Sequence, residues 1–103
     1  MGRSKTLLVL LAGLAAGAAA AQEDGRKLFT SVTPACALCH ALKDAGATGA
    51  IGPAFDDLQP GPDQVIAALR SGIGAMPSYR GNLSDEQMRA LARYVSKASG
   101  GAR

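Results

Sequence analysis

Tryptophan is absent from the 103 residues, and only two Phe and two Tyr stand in its place. Aromatic packing alone cannot fill a core with so few rings. Small domains with a thin core add a disulfide, a metal or a cofactor as a staple. There are only two cysteines and one histidine. A structural zinc site takes four ligands, and this set supplies three. No segment alternates apolar and polar residues over the ~4–8 positions that mark a strand, and no internal repeat is visible. A basic stripe with interleaved aromatics is also missing, so nucleic-acid binding has no support.

The first residues are of another kind. Arg3 and Lys5 are followed by an uncharged Leu/Ala-rich run from Thr6 to Ala18, then by Ala19-Ala20-Ala21 and by polar Gln22, Glu23 and Asp24. Basic, apolar and small in that order is the pattern of a secretory leader cut after an A-x-A site. Residues 1–21 are therefore expected to be a signal peptide, and residues 22–103 a single domain in the periplasm. The apolar run falls short of the ~20 residues of a membrane span. Membrane attachment would come only through an uncleaved leader. Without Arg3 and Lys5 the chain has 9 basic residues against 8 acidic, a net of +1. Its basicity belongs largely to the leader.

Helical periodicity dominates the rest. Leu28, Phe29 and Val32 share one side of a first helix expected over Glu23 to Ser31, stopped by Thr33-Pro34. A short helix is expected through the cysteines, from Ala35 to Ala45. Gly46, Gly49 and Gly52-Pro53 then punctuate a loop. Phe55 and Leu58 fit another short turn. Pro60-Gly61-Pro62 breaks the chain, and Val65, Ile66 and Leu69 place a helix over Asp63 to Ser71 with Gly72 as its stop. Ile73 to Asn82 reads as an extended loop. Ser84 to Gln87 is a capping box, followed by Met88, Leu91, Ala92 and Val95 on one face of a last helix.

Both cysteines and the histidine fall within five residues, Cys36-Ala37-Leu38-Cys39-His40. C-x-x-C-H is the attachment pattern of c-type haem. Thiols three apart on a helical turn face one side, where they can add across the two vinyl groups at one edge of a porphyrin. The adjacent imidazole of His40 is then placed as an iron ligand. A redox dithiol would need a preceding strand and a parallel sheet. A disulfide across two residues would constrain almost nothing.

The sixth iron ligand decides between carrying electrons and binding small molecules. Met1 leaves with the leader, and Met88 lies on the apolar face of the last helix. Met76 follows Gly72-Ile73-Gly74-Ala75 and precedes Pro77. Glycine allows close backbone approach and proline stiffens the loop, so Met76 is the candidate. Histidine with methionine is the axial pair of cytochromes c, and it raises the potential.

These features resemble the class I cytochromes c over nearly all of residues 22–103. Gly25 and Phe29 match the family's first-helix pattern, and Tyr94 matches the aromatic of its last helix. The resemblance implies a small all-α fold of four to five helices around one covalent haem c, with the first and last helices crossing at the glycine. It implies that Cys36 and Cys39 carry the thioethers and that His40 and Met76 are axial. It also implies that Pro53 offers its carbonyl to the His40 ring. The function implied is electron transfer, as a free carrier or as the cytochrome subunit of an oxidoreductase complex, and not catalysis. A haem-based sensor with an open sixth position is the alternative. The runs Thr33 to Pro53 and Met76-Pro77-Ser78-Tyr79 are similar to small cytochromes paired with periplasmic sulfite dehydrogenases. The partners implied are a donor dehydrogenase, such as a molybdenum sulfite dehydrogenase, and a terminal oxidase or other acceptor.

Overall fold

The computed structural model describes the backbone of residues 2–102 and the side chains of residues 16–102. The side chains of the basic start and most of the apolar run lie outside the described residues.

Among these residues there are five α-helices: α1 (Gly2–Ser31), α2 (Cys36–Cys39), α3 (Phe55–Leu58), α4 (Pro62–Ser71) and α5 (Asp85–Ser99). None is long and apolar enough to cross a membrane. The fold is all-α in its framework, as the sequence implies.

The first helix does not begin at Glu23. It is continuous from Gly2 through Ala21. Ala and Leu are among the strongest helix formers, and no proline interrupts the run. Residues 16–20 are exposed, whereas Gly25 and Phe29 are buried against α5. Packing of α1 therefore starts near Gly25. A Cβ at Gly25 would collide with Tyr94 Cβ and lie 2.8 Å from the Ala90 carbonyl oxygen. Only glycine lets the two backbones approach this closely. Beside the crossing, the Phe29 and Tyr94 rings meet edge to face, with centroids 6.0 Å apart.

The expected helix over Ala35–Ala45 is cut short. It ends at Cys39, and His40 is extended, with φ −118° and ψ 129°. Continuing the helix would keep the Cys39 carbonyl within the turn, but that oxygen accepts from Gly52 N–H at 2.7 Å. The chain then forms a two-stranded antiparallel hairpin, β1 (Ala41–Leu42) with β2 (Ala47–Thr48). Its turn is a 3₁₀ segment, Lys43–Ala45, closed by Gly46 in the left-handed region at φ 63°. The extended path buries Leu42 completely. Strands this short carry no period-two signature, so their absence from the sequence reading follows.

Helix α4 starts at Pro62, one residue before the expected Asp63. Proline suits the first helical position because its missing N–H is not needed there. The start of α5 follows its local code. Gln87 N–H donates to Ser84 Oγ at 3.1 Å, and Ser84 N–H donates to Gln87 Oε1 at 2.9 Å. Gly100, at φ 89°, ends the helix. Met88, Leu91 and Val95 join Phe29, Leu42 and Leu69 in one core.

Candidate functional site

The three helices α1, α4 and α5 leave a cavity of 640 Å³ between themselves and the intervening loops. That lies in the ~300–1,000 Å³ range of cofactor sites. Phe29, Val65, Leu69, Leu91 and Val95 give it apolar walls, and Cys36, Cys39, His40 and Met76 all line it.

The single turn α2 brings both cysteines to this wall as free, half-buried thiols. Gly49 packs on the turn from behind. A Cβ there would stand 2.7 Å from the Ala37 carbonyl oxygen and from the Leu38 and Cys39 carbonyl carbons. Burial pushes the Cys36 thiol up to about 11, because the apolar wall penalises the thiolate.

His40 is 9% exposed, and its ring is held from several sides. Nδ1 donates to the Pro53 carbonyl at 2.8 Å. A carbonyl only accepts, so Nδ1 carries a proton and Nε2 is the ring nitrogen left without a protein partner. The Phe55 ring stacks on the imidazole at a centroid distance of 4.1 Å and 13° between planes. Gly52 lies so close that a Cβ would come within 2.6 Å of His40 Cε1. The result is an oriented imidazole whose Nε2 has no protein partner and can serve a metal, its orientation set by a backbone carbonyl.

The Met76 loop is equally constrained. Ile73 and Met76 exchange both backbone hydrogen bonds, at 3.0 and 2.9 Å, across Gly74-Ala75. Gly72 enters the loop at φ 69°, and a Cβ there would meet the Met76 carbonyl oxygen at 2.6 Å. Below the loop, Ser78 Oγ donates to the Arg70 carbonyl at 2.6 Å. Met88, by contrast, is 2% exposed within the core and does not line the cavity.

Tyr79 is the residue whose role the sequence left unread. It lines the cavity, is 4% exposed, and donates its hydroxyl to the Pro34 carbonyl at 2.6 Å. Its partner lies 45 residues earlier in the chain, and a backbone carbonyl leaves no mark in a sequence.

A flat, largely apolar macrocycle fits this donor set. Two thiols, one imidazole with a free nitrogen and one thioether border an apolar cavity of matching size.

The comparisons agree with the fold. The family described as "Cytochrome C oxidase, cbb3-type, subunit III" matches residues 20–95. Cytochrome c6 of Leptolyngbya boryana is 38% identical over 75 residues, spanning 69% of this chain and 85% of that protein. Cytochrome c-551 of Halorhodospira halochloris is 30% identical over 74 residues, spanning 70% of this chain and 94% of that protein. The crystal structure of the c-type cytochrome SorU from Sinorhizobium meliloti superposes with a TM-score of 0.74 at 43% identity, covering 78% of this chain and 92% of SorU. The chain belongs to this family of small, monohaem class I cytochromes c. Its cofactor is covalently bound haem c, and it is an electron carrier rather than an enzyme.

Proposed function

We propose that Cys36 and Cys39 tether the haem through thioethers, that His40 Nε2 and Met76 Sδ are the axial iron ligands, and that Pro53 holds the His40 ring through Nδ1. What supports this most is the joint placement of the chain's sole histidine, its Nδ1 held by the Pro53 carbonyl, and of Met76 on the wall of one apolar cavity. When bound, the haem supplies a one-electron iron couple. The protein's own part is to hold and insulate it. The Met76 thioether, a soft donor, favours the reduced iron and raises the potential. The carbonyl of Pro53 fixes the imidazole plane and increases its basicity. Apolar walls from α1, α4 and α5 exclude water.

The test joins three measurements on the mature protein. A pyridine haemochrome spectrum counts the thioethers, and the intact mass gives the haem and the cleavage site. The oxidised spectrum should carry a methionine–iron charge-transfer band that Met76→Ala abolishes, opening the iron to added imidazole. A wild-type protein without that band overturns the Met76 assignment in favour of an open sixth position.

Residues 1–21 act in this reading as a cleaved leader that delivers the domain to the periplasm. The donor is a dehydrogenase, with a molybdenum sulfite dehydrogenase favoured by the resemblance of Thr33–Pro53 and Met76–Tyr79 to cytochromes of that pairing. The acceptor is a terminal oxidase or another redox protein. Mixing reduced sulfite dehydrogenase with this cytochrome should give rapid, saturating haem reduction. Slow, non-saturating reduction overturns the pairing and leaves the carrier reading intact.

A further inference from the structure

Two side chains that follow the Met76 loop reach back to the residues that precede Cys36. Tyr79 Oη donates to the Pro34 carbonyl at 2.6 Å, and Asn82 Nδ2 donates to the Thr33 carbonyl at 2.8 Å. Their acceptors are consecutive, so the two bonds act on one short stretch of backbone. Tyr79 is itself fixed, because its N–H donates to the Leu69 carbonyl at 2.7 Å and its carbonyl accepts from Leu83 N–H at 2.9 Å. Helix α5 is closed by its own caps, and α1 has already ended at Ser31. The Tyr79 ring packs in the core, but its hydroxyl bond and that of Asn82 are what join these two segments.

We propose that Tyr79 and Asn82 are positioning residues that clasp the Met76 loop to the Thr33-Pro34 segment and so keep methionine on the iron. The proposal rests on the Met76 assignment above. Its physical basis is that the loop and the attachment turn are joined by few covalent constraints. Between Gly72 and Pro77 the loop is pinned to itself by the Ile73–Met76 pair. Its distance from the attachment turn is set by what ties residues 79–82 to residues 33–34. Tyr79 is buried, where a hydroxyl without a partner is costly, so the tyrosine bond strongly favours the clasped arrangement. Asn82 is exposed and adds less.

The same clasp makes the sixth position selective. A weaker tether lets the loop lift, and an exogenous nitrogen ligand then competes with the thioether. The clasp therefore separates a carrier from a ligand-binding haem protein without changing any ligand.

The experiment titrates the oxidised holoprotein with imidazole and follows the loss of the methionine–iron band. Tyr79→Phe keeps the ring and deletes the hydroxyl. Imidazole should then bind about three- to tenfold more tightly, the equivalent of one lost net hydrogen bond. Asn82→Ala, at an exposed site where folding is not at risk, should tighten it about twofold. Tyr94→Phe is the control, since it deletes the other buried tyrosine hydroxyl, which binds Asp44 away from the Met76 loop. It should leave the imidazole affinity unchanged. A wild-type band with unchanged imidazole affinity in both clasp variants overturns the clasp alone. Equal tightening in Tyr79→Phe and Tyr94→Phe also overturns it, since the effect is then general loosening of the fold. Absence of the band in the wild-type protein overturns the Met76 assignment, and the clasp with it.

Discussion

The Tyr94 hydroxyl donates a 2.6 Å hydrogen bond to Asp44 Oδ2, joining the last helix to the hairpin turn 50 residues away. One side chain therefore both packs the α1–α5 crossing and ties the hairpin turn to the last helix.

This bond gives the fold an alkaline limit. Burial pushes the Tyr94 phenol well above its ordinary value, and the accepting Asp44 carboxylate pushes it further. Burial also raises the Tyr79 phenol. A phenol in the unfolded chain titrates near ~10. Above that pH the folded chain holds more protons than the unfolded chain, so stability falls as pH rises. Denaturant unfolding of the holoprotein should show a stability plateau below about pH 10 and a decline above it. Tyr94→Phe should make the decline shallower and cost about 1 kcal/mol at neutral pH. A plateau that continues unchanged to pH 12 would contradict the assignment.

Gly25 tests the helix crossing. Any Cβ at this position meets Tyr94 Cβ and the Ala90 carbonyl, and neither is the end of a flexible chain. Gly25→Ala should destabilise the holoprotein by about 1–3 kcal/mol in denaturant, with the optical spectrum of the haem preserved. An unchanged denaturation midpoint would show that the crossing has slack.

Gly52 tests the orientation of His40. An alanine methyl would stand 2.6 Å from Cε1 and 2.9 Å from Nδ1, tilting the ring away from the Pro53 carbonyl. With His40 on the iron as proposed, the hydrogen bond to Pro53 would raise imidazole basicity and favour the oxidised iron. On that assignment Gly52→Ala should therefore raise the reduction potential. Voltammetry giving the wild-type value would mean that the ring keeps its bond.

Ser84 tests an element remote from the site. Both arms of its capping box are formed, so Ser84→Ala should cost about 1 kcal/mol of stability. The potential and the ligand spectrum should stay as they are, since no residue of the box lines the cavity. A shifted potential would show that α5 transmits strain to the haem wall.

The features legible in the sequence are those written over a few adjacent residues. The capping box at Ser84–Gln87, the stop at Thr33-Pro34 and the cluster Cys36–His40 are local codes, and each has its counterpart in the structure. The periodic face of α5 is likewise set by its own residues. What was not legible depends on partners far along the chain. Helix α2 stops at Cys39 because Gly52 takes a carbonyl, and Leu42 leaves the helix because a core position awaits it. The Tyr79 hydroxyl finds Pro34 only once the loop and the attachment segment are neighbours. Glycines 49 and 52 read as loop punctuation in the sequence. In the fold they are sites of contact, one against the backbone of the cysteine turn and the other against the histidine ring.

The seam between Gly25 and Tyr94 also governs when the molecule can finish folding. These residues stand near opposite ends of the domain, so their contact closes a loop of almost its full length. Closure of so long a loop is entropically costly and slows folding. A chain still being made cannot form this contact until its last helix has emerged. With Met76 on the iron, haem held at Cys36 and Cys39 would bridge the middle of that loop, dividing one long search into shorter ones. The cofactor then acts as a kinetic shortcut as well as a redox centre.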